Sequence, residues 1–231
     1  GIHYQSPART YYRDGYYTVL PLIKIRQNWV REQIRTLASG IDSDSDCPSG
    51  VQEDGGSWWP KHADSPLYFI LLIGDYLQIT QDESILYELV KGVTIQCWMI
   101  KVIKRMISQI DEIGLLPREE WNRKDWVDNI YRCGYVSYIQ ILLYRALIFM
   151  ENLQPEEQYG RIALKLKDSF NRILWSENKG HYVNYQNENY REDNLSLDTV
   201  LALKYCMVPD DRKERFINNI ENILETRSNK N

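Results

Sequence analysis

Histidine is scarce in these 231 residues, present only as His3, His62 and His181, and cysteine supplies four residues, Cys47, Cys97, Cys133 and Cys206. The cysteines are widely spaced and form no CxxC pair, which removes a zinc ribbon and a dense disulfide framework and leaves them to be read as reduced thiols. Positive charge is not in excess either. Lys and Arg number 28 against 32 Asp and Glu, the formal net charge is -4 and the pI is near 5.5. The basic residues are dispersed, so the electrostatic footprint of a nucleic-acid binder is missing. Long apolar runs are absent as well: the longest, Leu67 to Ile73, is about seven residues against the roughly 20 needed to span a bilayer, so no membrane insertion is expected. No charged, apolar, small-residue leader is seen, and the first residue is Gly1, so the natural start is expected outside this stretch. Localisation is not settled by these residues, with the cytoplasm favoured.

What the chain does have is hydrophobic content of 43%, ample for a sizeable core in one large domain or two small ones, together with 17 Tyr and 7 Trp. Tyr and Trp suit ligands with one apolar and one polar face. Two runs concentrate this chemistry: Tyr11-Tyr12-Arg13-Asp14-Gly15, and Lys124-Asp125-Trp126-Val127-Asp128-Asn129. Each mixes charge with aromatic surface at the mouth of an expected helix. Carboxylates supply acid or base chemistry, aromatic faces stack on the apolar side of a pyranose, and an Arg–Asp pair can fork onto vicinal hydroxyls, a combination that points toward glycoside cleavage.

Helical periodicity dominates the organisation. Val19, Leu20, Ile23, Val30, Ile34 and Leu37 mark one stripe from about residue 16 to 38, and the run after Pro66 is apolar nearly all round to Thr80, as in an inner helix. Thr80 and Asp82 offer caps for a long segment to about 112, with room for a break. Further helices are expected from Val136 to Met150, from Pro155 to Ile173, from about 195 to 206 and from 210 to 226, with a turn at Gly180-His181-Tyr182-Val183. This makes about seven helices and no convincing strand: an all-α fold of stacked helical hairpins over residues 1–231, taken as one domain or a piece of one. The connection from Gly40 to Ala63 is exceptionally long, as functional loops are.

Each motif also has a plainer reading. Asp125 and Asp128 serve equally as loop or capping carboxylates; as chemistry, one is a general acid with its pKa raised by Trp126 and partial burial. Arg13 and Asp14 are an ordinary surface ion pair unless the tyrosines around them build a pocket. Ser57-Trp58-Trp59-Pro60-Lys61-His62-Ala63-Asp64 places two tryptophans, a histidine and an acid just before the inner helix, an arrangement hard to explain as core, although a lone histidine is more often structural. Asp42-Ser43-Asp44-Ser45-Asp46 with Glu53 imitates a Ca²⁺ loop, but Cys47 stands where that loop needs glycine, and no metal is expected. Glu192, Asp193 and Asp198 line the same pocket or cap the helix near Leu195, with capping favoured for Asp193.

Taken together, these segments resemble the α/α-barrel glycosidases that include glucoamylase, trehalase, the processing α-glucosidases and the amylo-α-1,6-glucosidase domain of glycogen debranching enzymes. Tyr12-Arg13-Asp14 resembles the glucoamylase-like run that holds hydroxyls of the terminal sugar. His62-Ala63-Asp64-Ser65-Pro66-Leu67-Tyr68-Phe69, with Tyr76 and Thr80-Gln81-Asp82 after it, is similar to the debranching pattern Ala-Asp-Ala-Pro-Leu-Trp-Phe before Tyr and Thr-Gly-Asp. Asp125-Trp126-Val127-Asp128 resembles the acid-bearing Trp-Met-Asp segment, and Leu174-Trp175 to Tyr182 the Leu-Trp to Gly-Tyr turn. The resemblance implies an inverting, exo-acting enzyme on an α-glucosidic bond. It implies Asp128 as the general acid, and Arg13, Asp14, His62, Asp64 and Asp125 as substrate-binding groups, with Trp58, Trp59 and Trp126 as walls. It implies no cofactor, an oligo- or polysaccharide partner, and an incomplete (α/α)6-type barrel, since its members have twelve helices. An incomplete barrel is expected to self-associate or to be completed by a further segment. The principal alternative is a non-catalytic carbohydrate-binding or scaffold domain of the same ancestry. A weaker one is a helical-toroid lyase or epimerase, which would lean on a Tyr or His base.

Overall fold

The computed structural model describes residues 8–118, 125–127 and 130–224, with Trp59 and Pro60 described by backbone only. Four helices form an inner row: α1 (Tyr12–Val19), α3 (Ser65–Thr80), α5 (Ser137–Leu153) and the short α7 (Leu201–Lys204), which continues a 3-10 turn over Leu197–Val200. α3 packs against both α1 and α5, and α5 against α7. Outside them lie α2 (Gln27–Ser39), α4 (Ile95–Ile107), α6 (Tyr159–Ile173) and α8 (Asp210–Ile223), so eight α-helices are seen among the described residues. The division follows from side-chain pattern. α3 is buried at every position from Ser65 to Gly74, whereas α2, α4 and α6 each bury one stripe, as with Val30, Ile34 and Leu37 or Ala163, Leu166 and Phe170. The α3–α5 contact is close because Gly74 leaves room for the Phe149 ring; a Cβ there would lie 2.4 Å from ring carbons.

The expected all-α architecture is corrected by ten short strands among the described residues, in small antiparallel sheets. β1 (Arg9–Tyr11), β2 (Pro48–Gln52) and β3 (Ser57–Lys61) form one sheet, pairing Tyr11 with Gly50 and Gly50 with Trp58. The long connection after Gly40 is therefore largely a hairpin. β4 (Leu89–Val90) and β5 (Val93–Thr94) turn over Lys91 and Gly92, both at positive φ. β6 (Tyr135–Val136) pairs with β9 (Tyr185–Gln186), which pairs with β10 (Arg191–Glu192), and β7 (Trp175–Ser176) pairs with β8 (His181–Tyr182). Most of these strands are only two residues long, too short for a period-two pattern to register against the helical signal.

Two expected helices are also divided. The stripe from 16 to 38 breaks after α1, where Pro21 in the 3-10 turn Leu20–Leu22 cannot donate to the helix ladder. The 82–112 segment begins its α-helix only at Ile95, where Thr94 Oγ1 accepts the Cys97 amide at 3.2 Å.

The strands have a positional consequence. The connections bearing β1 to β3, β6, β9 and β10 enter the inner helices at their N-termini, while shorter connections join the other ends. The positive ends of α1, α3 and α5 thus share one mouth, the natural place for carboxylates. Further along the inner helices Tyr16 Oη donates to Asp75 at 2.6 Å, and Arg145 stacks on Phe149 at 3.9 Å and faces Tyr205 at 5.5 Å, drawing the helices together.

Candidate functional site

At the N-terminal mouth a chain of tyrosine hydroxyls leads from the surface to a buried acid. Tyr17 on α1 lies 3.2 Å from the hydroxyl of Tyr68 on α3, Tyr68 lies 2.7 Å from that of Tyr138 on α5, and Tyr138 donates to Asp64 Oδ2 at 3.1 Å. With Asp64 ionised, every hydroxyl in this row donates toward it. Tyr17 is 41% exposed and Asp64 1%. Burial, then the charge of Asp125, pushes the Asp64 carboxyl up to about 7, against the opposing hydrogen bond from Tyr138 and the Arg13 charge. His62 Nδ1 stands 3.9 Å from Asp64 Oδ1.

A second layer is ionic. Asp125 is fully buried and meets two guanidinium groups: Arg118 Nη1 at 2.7 Å, and Arg132 through Nε at 3.0 Å and Nη2 at 2.9 Å. Arg132 also donates to Asp198 Oδ2 at 2.8 Å and Asn184 Oδ1 at 2.9 Å, and its guanidinium faces the Tyr138 ring at 5.6 Å. Burial opposes the charge of Arg132, but Asp125 and Asp198 outweigh it and hold the group above its ordinary pKa. Asp125 Oδ1 accepts the Val127 amide at 2.9 Å, and the Trp126 indole donates to Asp198 at 3.2 Å. These bonds set the backbone of 125–127 and turn the half-exposed Trp126 face toward Arg13, whose guanidinium lies 4.7 Å from the Trp126 ring and 5.3 Å from that of Tyr17.

The site residues named from sequence therefore separate into groups. Arg13, Asp64, Asp125 and Trp126 converge at the mouth, with His62 beside Asp64. Asp14 does not turn inward: it is exposed and only 3.5 Å from Arg13 Nη1 at a solvated position. Trp58 sits on β3 beneath the Arg9 guanidinium, 3.4 Å away. The Trp59 side chain and Asp128 lie outside the described residues. The Asp42 to Asp46 loop is held by cations of the chain itself, Lys61 contacting both acids and Arg105 reaching Asp46 at 2.9 Å. Arg118 and Arg132 carried no sequence motif, and Tyr68, quoted within the debranching-like motif, and Tyr138 were given no site role; their linear signal was tyrosine early in two apolar helices and arginine flanking the Asp125 segment.

Residues 19–227 match the family model described as amylo-alpha-1,6-glucosidase. The chain belongs to that family. A sequence comparison with curated proteins finds no match. Among solved structures, the GH78-family rhamnosidase of Bacillus sp. GL1 has a TM-score of 0.77 at 19% identity, covering 93% of this chain and 23% of that one. A rhamnosidase from Klebsiella oxytoca with rhamnose bound has 0.73 at 17%, covering 93% and 42%. A possible member of the GH105 family from Salmonella enterica has 0.58 at 15%, covering 90% and 57%. This amylo-α-1,6-glucosidase family member thus spans less than half the length of either rhamnosidase and shares their fold in that part.

Proposed function

We propose that this chain carries the sugar pocket of a glycoside hydrolase that cuts a terminal α-glucosidic bond of an oligo- or polysaccharide with inversion, Asp128 protonating the departing oxygen. The observation that carries the reading is the mouth itself: Arg13 stacked on Trp126 above a floor of Tyr17, Tyr68, Tyr138 and Asp64. Such a pocket offers a pyranose an aromatic face and charged hydrogen-bonding partners together. Family membership supports the reaction class. In this mechanism a second carboxylate, roughly 6.5–9.5 Å from the acid, activates water on the opposite face of the sugar.

The test is release of glucose from maltose, isomaltose, trehalose and a branched dextrin, beside release of rhamnose from an aryl α-L-rhamnoside, since two structures of like fold are rhamnosidases. Glucose release that falls about two to four orders of magnitude in Asp128→Asn, with sugar binding retained, is the expected result. Rhamnose release alone overturns the glucoside assignment. Sugar binding without turnover of any substrate, by this chain or a longer parent, moves the reading to a non-catalytic carbohydrate-binding domain.

A further inference from the structure

The C-terminal halves of α3 and α5, with the 3-10 turn Glu83–Tyr87 and α4, border a cavity of about 340 Å³ that the sugar pocket does not use. Its wall runs from Gly74 to Gln81 and from Arg145 to Leu153, whereas Tyr68 and Tyr138 of the mouth stand on the opening turns of the same helices. The volume is at the lower end of the roughly 300–1,000 Å³ of small-molecule pockets, room for one small metabolite. Leu77, Leu86, Met99 and Phe149 make much of the lining apolar, and Leu86 and Met99 are almost fully buried. Its charges are of both signs. Arg145 is braced by the Phe149 ring at 3.9 Å and makes one side-chain hydrogen bond among the described residues, from Nη2 to Gln78 Oε1 at 3.1 Å. Asp75 Oδ1 stands 3.8 Å from the same nitrogen, while Asp75 Oδ2 accepts from Tyr16. Most of the five guanidinium N–H donors are thus open. The exposed Glu83 carboxylate on the same wall has neither hydrogen bond nor ion pair among the described residues. α3 and α5 also end here, at Thr80 and Leu153, and the C-terminal end of a helix is negative.

A simple anion such as phosphate meets one cation against Asp75, Glu83 and two negative helix ends, and a simple cation meets Arg145. A molecule that carries both charges and an apolar body satisfies the whole lining. We propose that this cavity binds a free apolar α-amino acid, its carboxylate on the Arg145 guanidinium, its ammonium at Glu83 and its side chain against Leu77, Leu86 and Met99. The guanidinium fork fits a carboxylate through two parallel N–H bonds. Gln78 and Phe149 fix that fork in advance, so little side-chain freedom is lost on binding. Part-exposed charge contacts are weak by themselves, and burial of the ligand's apolar side chain supplies the remaining favourable term.

The experiment titrates the chain calorimetrically with L-leucine and with three probes that each lack one feature: L-leucinamide has no carboxylate, 4-methylpentanoate no ammonium, and glycine no apolar side chain. L-Leucine is expected to bind. Leucinamide and 4-methylpentanoate are each expected to bind about ten- to a hundredfold more weakly, the range for losing a hydrogen bond to a charged group, and glycine at least about tenfold more weakly. In Arg145→Met the preference for leucine over leucinamide falls toward unity, and in Glu83→Gln the preference over 4-methylpentanoate does. A residue that only supported the fold would weaken all four compounds alike. Glu83 is exposed, so Glu83→Gln is expected to melt at the temperature of the parent chain, which keeps the test decisive if Arg145→Met loses stability. Failure of leucine to bind the unmodified chain overturns the assignment, and so does leucine binding whose preferences are unchanged in both variants; neither result touches the sugar pocket at the mouth.

Discussion

Asp64 shows how a single buried carboxylate couples stability to pH. An unfolded aspartate titrates near 3.9, and in the folded chain the Asp64 carboxyl titrates at about 7. Between those values the folded state holds a proton that the unfolded state has lost. Stability from this group is therefore full below about pH 4, declines as pH rises toward 7 and stays low above it. Asp64→Asn removes that slope. Its advantage over the parent in urea denaturation is expected to be small at pH 4 and to grow to a few kcal/mol by pH 8, on the order of the shift expressed as free energy. A pH-independent difference would mean that burial and the charge of Asp125 do not raise the acid as described.

At the scale of elements, the mouth depends on how the irregular segment carrying Trp126 is tied to β6 and to the turn before α7. Arg118 exchanges two backbone hydrogen bonds with Gly134, at 2.8 and 2.9 Å, and Arg132 spans Asp125, Asn184 and Asp198. Arg132→Met leaves Asp125 and Asp198 without this partner and is expected to cost about 3–5 kcal/mol in denaturant unfolding, the range for breaking a buried ion pair. Gly134→Ala tests the same junction through the backbone. Gly134 has φ +77°, and a Cβ there would stand 2.3 Å from the Gln186 carbonyl oxygen. The variant is expected to lose at least about 2 kcal/mol from strain and collision together, and to bind sugar more weakly because Trp126 loses its anchor. Unaltered stability and affinity would show that β6 and β9 separate without cost.

For the whole molecule, the buried side chains of the inner and outer helices join in one continuous cluster running from Tyr12 to Phe216. A shared core makes partial unfolding expensive, so urea transitions followed by far-ultraviolet circular dichroism and by tryptophan fluorescence are expected to coincide. Separated midpoints would divide the chain into independent units. Some large apolar side chains nevertheless face solvent, among them Trp29, Tyr87 and Leu89. Among the described residues no helix is long and apolar enough to cross a membrane.

Much of this was legible from residue order because its physical cause is local. The all-round apolar α3 and the one-sided stripes of α2 and α6 announce inner and outer helices, since burial acts on each helix face separately. The Tyr-Arg-Asp and Asp-Trp-Val-Asp runs marked two segments of the mouth for the same reason: charge beside aromatic surface is uncommon in a packed core. The short strands escaped notice, as their pairing joins residues such as Tyr11 and Gly50 that carry no mutual signal in one dimension. The partners of the charges escaped for a related reason. Arg13 stands next to Asp14 in sequence, yet Asp14 faces water while folding brings the Trp126 ring to the Arg13 guanidinium. Sequence alone determined the residue types, the inner and outer character of the main helices and the family that the chain resembles. Tertiary packing decided which carboxylate is buried and which cation it meets, because desolvation and Coulomb attraction depend on distance in space and not along the chain.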